Sequence, residues 1–193
     1  MNHFSLSDFD RLPLSDRDRL QLNQSFRRRT FKKKIKVLNQ GDVCTEIYFV
    51  RSGLVKLCYH TLDGKEYIKS FIKEGGMFGS LNSLLNNAGS TFSVIALEDL
   101  IVDAVAYATF FNLANKYPEF HAVSLNFFQQ LALKKEIREY ELLCLSAQQR
   151  YEKFRLQEAD LMHRIKQSDL ASYLGITPVA LSRMKNKSNL KIK

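Results

Sequence analysis

Three patterns of apolar positions succeed one another along the chain. Between about residues 30 and 110 they come in short runs at 47–50, 54–59, 67–72 and 91–96, rich in β-branched and aromatic side chains. Such residues fit a pleated, half-buried surface and predict strands. Glycines punctuate the runs at Gly41, Gly53, Gly64 and the pair Gly75 and Gly76, 11 or 12 residues apart. Regular short strands with turn signals predict an all-β sandwich or jelly roll. Asp63 followed by Gly64 predicts a hairpin. From Tyr107 the period becomes helical. A short helix is predicted over 108–116 and a long one from Pro118 to about Leu145. On the long helix Phe120, Val123, Phe127 and Leu131 recur at spacings of 3, 4 and 4, and Phe128, Leu125 and Leu133 widen the stripe. Surface of this extent needs covering, by the β domain on one face and by a partner helix on the other. Phe120, Val123, Phe127, Phe128 and Leu131 are therefore assigned to a dimer helix. Residues 1–26 read as a short helical lead capped at Ser7 and interrupted at Pro13.

The third pattern is a pair of short helices. Ser168 is a cap candidate for a helix through Leu174, with Leu170, Ala171 and Leu174 on one apolar face. Gly175 suits the turn, where positive φ is needed. Thr177 caps a second helix with Pro178 at its first position, where a missing N–H costs nothing. Ala180, Leu181 and Met184 give that helix a buried side and leave Ser182, Arg183 and Lys185 outside. This order fits a helix-turn-helix whose second helix lies in the major groove of DNA. Residues 163–193 hold seven basic residues against Asp169 alone, a net +6 of the chain's +9. A positive patch of this kind is the footprint of a duplex binder.

The domains expected are 1–116, a β sandwich with an N-terminal helix; 117–146, the connecting helix; and 147–193, the helix-turn-helix unit. Composition adds exclusions. At 45% hydrophobic and 25% charged residues, the 193-residue chain is an ordinary globular one. No apolar run approaches the roughly 20 residues that span a bilayer, and no signal peptide is read, so the expected location is the cytoplasm, with no membrane partner. Cys44, Cys58 and Cys144 match no zinc spacing, and no metal site is expected. A phosphate loop, a dinucleotide fingerprint and nucleophile motifs are absent, so no enzyme is expected. The run from Arg27 to Lys36 holds seven cations in ten residues. It reads as a solvated edge strand, with a phosphate or lipid-headgroup contact as the alternative.

The order β sandwich, long helix, helix-turn-helix resembles the Crp–Fnr family of transcriptional regulators. Gly41-Asp42 with Ile47-Tyr48-Phe49-Val50-Arg51-Ser52-Gly53-Leu54 resembles the early strands of that family's cyclic-nucleotide-binding fold. Phe78-Gly79-Ser80-Leu81 falls at its Phe-Gly-Glu-Leu turn, and Leu142-Leu143-Cys144-Leu145-Ser146-Ala147 resembles the domain junction. Leu170 through Arg183 resembles the helix-turn-helix. The resemblance implies an α+β chain: a jelly-roll, cyclic-nucleotide-binding-like domain, a long dimerisation helix and a C-terminal helix-turn-helix. It also implies a homodimer on double-stranded DNA with an inverted-repeat site, and RNA polymerase as a partner.

The departures concern control. Cyclic-AMP-binding members hold the phosphate with an Arg-Ser pair and the ribose with a Glu. The matching positions here are Ser90 and Thr91, and Ser80. With Gly79 and Leu81, these residues form the candidate effector site. Residues 74–115 hold four acids and no Lys or Arg, so control by a cyclic nucleotide is not expected, and no cofactor is assigned. Iron–sulfur ligation lacks its cysteines, and a haem lacks a marked axial ligand. At the DNA-reading positions Pro178 and Val179 replace the cyclic-AMP receptor's Arg-Glu pair, and Arg183 is kept. Arg183 is the candidate for a guanine edge and Val179 for a thymine methyl. Ser168, Thr177, Ser182, Lys185 and Lys187 are candidate phosphate contacts. Only eight residues follow Lys185, so the family's β-hairpin wing is expected to be reduced or missing. A sensor or protein-interaction module that does not read DNA sequence is the alternative.

Overall fold

The computed structural model describes residues 14–190, apart from the side chains of Val123 and of residues 186–190. The features expected at Ser7 and Pro13 lie outside the described residues. Helix α1 (Asp16–Ser25) is capped by Ser15, whose hydroxyl accepts from the Asp18 amide. Strands β1 (Arg27–Phe31), β2 (Lys36–Leu38), β3 (Glu46–Ser52), β4 (Val55–His60), β5 (Glu66–Ile72) and β6 (Met77–Phe78) follow. Then come the short helix α2 (Leu81–Asn86) and strands β7 (Ser93–Ala96) and β8 (Leu100–Ala106). They build two four-stranded antiparallel sheets, ordered β1-β8-β3-β6 and β2-β7-β4-β5. The jelly-roll expectation holds.

The run 47–50 is apolar without alternation because both faces of β3 are covered. Tyr48 and Val50 point between the sheets, with Val55, Leu57, Val94 and Val102. Ile47 and Phe49 face the helices, with Leu22, Phe110 and Phe120. Gly53 turns β3 into β4 at φ +98, and a Cβ there would lie 2.4 Å from the Asp99 carbonyl oxygen. The hairpin at Gly64 joins β4 to β5 as expected.

The first half of the basic run forms β1, an edge strand as expected, while Lys32 to Lys34 lie in the turn that leads to β2. Three cations of the run are paired: Arg29 with Glu46 at 2.6 Å, Lys32, just past the strand, with Asp99 at 3.0 Å, and Arg28 with Asp103. Asp103 is buried in the middle of β8 and also binds Arg51. Burial opposes the charge on Asp103, and the two guanidinium groups outweigh it, so its pKa lies below the ordinary carboxylate value.

Helices α3 (Tyr107–Lys116) and α4 (Pro118–Cys144) run close to their expected spans. Ser146 opens α5 (Ala147–Gln157) with a full capping box to Gln149. A 3-10 turn (Ala159–His163) then leads to α6 (Gln167–Leu174) and α7 (Pro178–Leu190). No described helix is long and apolar enough to cross a membrane.

The assignment of the dimer stripe on α4 needs correction. Phe120 is fully buried in its own subunit, 5.1 Å from the Phe110 ring. Phe128 packs on the same cluster, and Phe127 and Leu131 line a cavity against the β domain. The Val123 side chain lies outside the described residues. The outward face carries Ala122, Leu125, Ala132, Leu133, Tyr140 and Leu143, all exposed. Both faces of the helix are apolar, and the sequence period alone did not say which one the β domain takes.

Candidate nucleic-acid interface and effector cavity

The helix-turn-helix forms as its punctuation requires. Gly175 closes α6 at φ +70, and the Ile176 amide returns to the Ala171 carbonyl at 3.0 Å. Thr177 Oγ1 accepts from the Ala180 amide at 3.2 Å, and Pro178 starts α7. Leu170, Ala171, Leu174 and Leu181 are buried with Tyr151 and Phe154 of α5. This packing leaves Val179, Ser182 and Arg183 exposed at i, i+3 and i+4 on α7, with Val179 60% exposed. Thr177 and Pro178 are exposed beside them. Lys185 donates to Gln167 Oε1 at 3.1 Å and ties α7 to the start of α6. Lys187 lies on the helical backbone of α7, its side chain outside the described residues. Ser168 needs correction as a cap: Lys166 holds that position, and Ser168 sits exposed in the first turn. Helix α7 continues to Leu190, so the described residues after Lys185 contain no wing strand.

The unit is docked on the β domain, a contact sequence reasoning missed. Leu54, fully buried, joins the helix-turn-helix core, with Phe71 and Leu97 packed beside it. Phe71, Phe154 and Tyr173 form an aromatic trio with centroids 5.3–6.4 Å apart. Ser172 Oγ accepts from the Ile68 amide and donates to the Glu66 carbonyl, both at 3.0 Å, so α6 completes hydrogen bonds at the free edge of β5. Lys56 bridges Glu66 at 2.6 Å and Asp169 at 3.1 Å. Arg164 grips Glu98 and Glu74 at 2.6 and 2.8 Å. Arg164, counted in the basic segment, thus serves the domain contact. The signal for this docking was present in Asp169, the lone acid of a basic segment.

Beneath the turn at Gly79 lies a cavity of about 170 Å³. Of the candidate effector residues, Gly79, Ser80, Leu81 and Thr91 line it. Ser90 does not. Its buried hydroxyl donates to the Phe92 carbonyl at 2.7 Å and accepts from the Phe92 amide, which makes it a turn-forming residue. The Ser80 hydroxyl is buried with no hydrogen-bond partner among the described residues. Lys69 from β5 and Lys135 from α4 also reach the cavity. The local charge count over 74–115 missed them because one precedes that segment and the other follows it. Lys69 left a weak signal, as a cation inside an apolar strand run.

Cys58, His60 and Glu66 bring ligand atoms within 4.8 Å of one another across β4 and β5. These are metal-ligand residue types, but the Lys56 ammonium already sits on the Glu66 carboxylate. Burial pushes the Cys58 thiol up to about 12, away from the thiolate a metal needs.

The cyclic nucleotide-binding domain family matches residues 28–117. The cyclic AMP receptor protein of Thermus thermophilus is 27% identical over 166 residues, 82% of this chain and 75% of the relative. Regulatory protein HlyX of Actinobacillus pleuropneumoniae is 25% identical over 183 residues, 89% of this chain and 75% of its own. The chain is thus similar to transcription regulators of the Crp–Fnr type over most of its length. Solved structures share its fold. FixK2 from Bradyrhizobium japonicum superposes with a TM-score of 0.74 at 18% identity, covering 86% of this chain and 85% of that one. A CooA variant from Carboxydothermus hydrogenoformans reaches 0.77 at 17% identity, covering 99% and 86%. The matched segment ends at Tyr117, where α3 gives way to α4.

Proposed function

We propose that the protein is a homodimeric, non-enzymatic transcription regulator of the cytoplasm that reads an inverted repeat in double-stranded DNA and acts with RNA polymerase. The observation that carries this reading is the exposed row Val179, Ser182 and Arg183 on a helix held by a closed turn and a capped start. Arg183 offers two parallel donors to a guanine edge, and Val179 an apolar contact to a thymine methyl. Ser168, Thr177, Ser182 and Lys185 surround them and suit phosphate contact, as does Lys187 by its place on the helix. The exposed apolar face of α4 supports pairing of two long helices. A twofold axis along them sets two recognition helices about 34–36 Å apart, one turn of the duplex.

Control by cyclic AMP in the family's manner is not part of the proposal. Ser90 is committed to its own turn, and Ser80 brings no carboxylate for a ribose. The testing experiment is selection from random duplex DNA at two salt concentrations, with wild type and Arg183→Ala. A palindrome that the variant reads less strictly supports the proposal. Binding that only tracks salt and ignores the substitution overturns it in favour of a module that does not read sequence.

A further inference from the structure

This chain pairs its half-buried lysines with care. Lys56 takes Glu66 and Asp169, and Lys73 takes Glu158 and Asp160. The cavity under Gly79 breaks the pattern. Half-buried Lys69 and the more exposed Lys135 both line it, close enough to perturb each other's charge, and neither pairs with a carboxylate among the described residues. The Lys69 ammonium lies 3.7 Å from the Phe92 ring centroid. Burial, then the nearby charge of Lys135, holds Lys69 down to about 7. Burial and the charge of Arg138 lower Lys135, against a hydrogen bond to Lys69 that raises it. Two facing ammonium groups without a counter-charge are costly unless an anion joins them. The rest of the wall is largely apolar, including Ile72, Met77, Phe78, Phe128 and Leu131, and the unpartnered Ser80 hydroxyl lines the same space.

We infer that this cavity binds a small organic acid, its carboxylate bridging Lys69 and Lys135 and its apolar body filling the aromatic end. A carboxylate accepts from two ammonium groups at once. A nucleotide would bring a sugar and a base whose many polar atoms find few partners on this wall. The occupant ties β5 to α4, so it joins the sensor sheet to the helix offered for pairing. Only the word effector for this occupant rests on the regulator reading; the binding site itself does not.

The test is calorimetric titration of the full chain with phenylacetate, benzoate and hexanoate, with 2-phenylethanol as a neutral counterpart and sulfate as a bare anion. The result expected is saturable binding of at least one acid, weakened tenfold or more by Lys69→Met and by Lys135→Met. The alcohol should bind more weakly and ignore both substitutions. At pH 8, paired buffers of different ionisation enthalpy should show proton uptake with the acid, as Lys69 regains its charge beside Lys135 and Arg138. Circular dichroism melts establish that each variant folds, and Lys69→Gln and Lys135→Gln replace any that does not. Binding of no acid by folded wild type overturns the inference. So does an affinity indifferent to both lysines, or sulfate or the alcohol binding as tightly as the acids. No readout uses DNA, so failure to read a palindrome leaves this result standing, and the reverse holds too.

Discussion

Lys56 on β4 and Asp169 on α6 stand 113 positions apart in sequence and 3.1 Å apart in space, Nζ to Oδ1. Both side chains are largely buried, and Glu66 holds the same ammonium from its other side. Desolvation acts against the charge on Lys56, and the two carboxylates outweigh it, so its pKa is raised. Asp169→Asn should therefore cost about 1.5–3 kcal/mol, the range for a hydrogen bond to a charged group, since Glu66 keeps the lysine partly matched. Urea unfolding of the variant measures this; an unchanged midpoint would count against a bridging role.

Ser172 should matter to β5 as much as to its own helix. In Ser172→Ala the Ile68 amide loses its acceptor at the sheet edge. Its hydrogen exchange should speed up about tenfold, the equivalent of a bond worth ~1.4 kcal/mol. An unchanged rate at Ile68 would mean that the aromatic trio alone keeps the edge closed.

Acid should loosen the docking at Arg164. Hydrogen bonds from that guanidinium hold Glu74 down to about 2, from an ordinary value of 4.5. A depressed carboxyl contributes stability above its unfolded value and loses it as pH falls toward its folded one. The contribution is thus complete above about pH 4.5 and fades between there and about pH 2. Glu74→Gln should flatten the wild type's loss of stability over that window, as followed by thermal melts at stepped pH.

The two faces of α4 should respond differently to substitution. Leu125→Glu with Leu133→Glu should yield folded monomers in analytical ultracentrifugation, because both residues are exposed in the single chain. Phe120→Ala should instead lower stability by about 3–5 kcal/mol, as expected for an emptied aromatic core site. Dimer dissociation caused by Phe120→Ala without loss of stability would reverse this assignment of faces.

A buried hydroxyl without a partner costs roughly 1–3 kcal/mol. Ser80→Ala should therefore leave the melting temperature unchanged or raise it. A marked fall would show that the hydroxyl has a structural partner.

Local chemistry made much of this protein legible. The turn at Gly175, the cap at Thr177 and the box at Ser146 are written within four residues, so their geometry follows from neighbouring side chains and backbone alone. The apolar runs of β3, β4, β5 and β7 are similarly local, and their order along the chain led to the jelly roll. Strand β8 was harder, because Asp103 interrupts its apolar run and is matched only by Arg28 and Arg51, both distant in sequence. Ser168 was misread because Lys166 gives a helix start without any side-chain cap.

By itself, the sequence determined most of the strands and helices and the exposed row of α7, because period, caps and turn residues act over a few positions. Tertiary structure alone decided which apolar face of α4 is buried, since both faces satisfy the same period. It also decided which cations meet carboxylates: Arg164 and Lys56 find theirs across the domain contact, while Lys69 and Lys135 face each other in a cavity. Coulomb forces and desolvation depend on distance in space, and residues remote along the chain come within those distances only once the two domains and the long helix have packed.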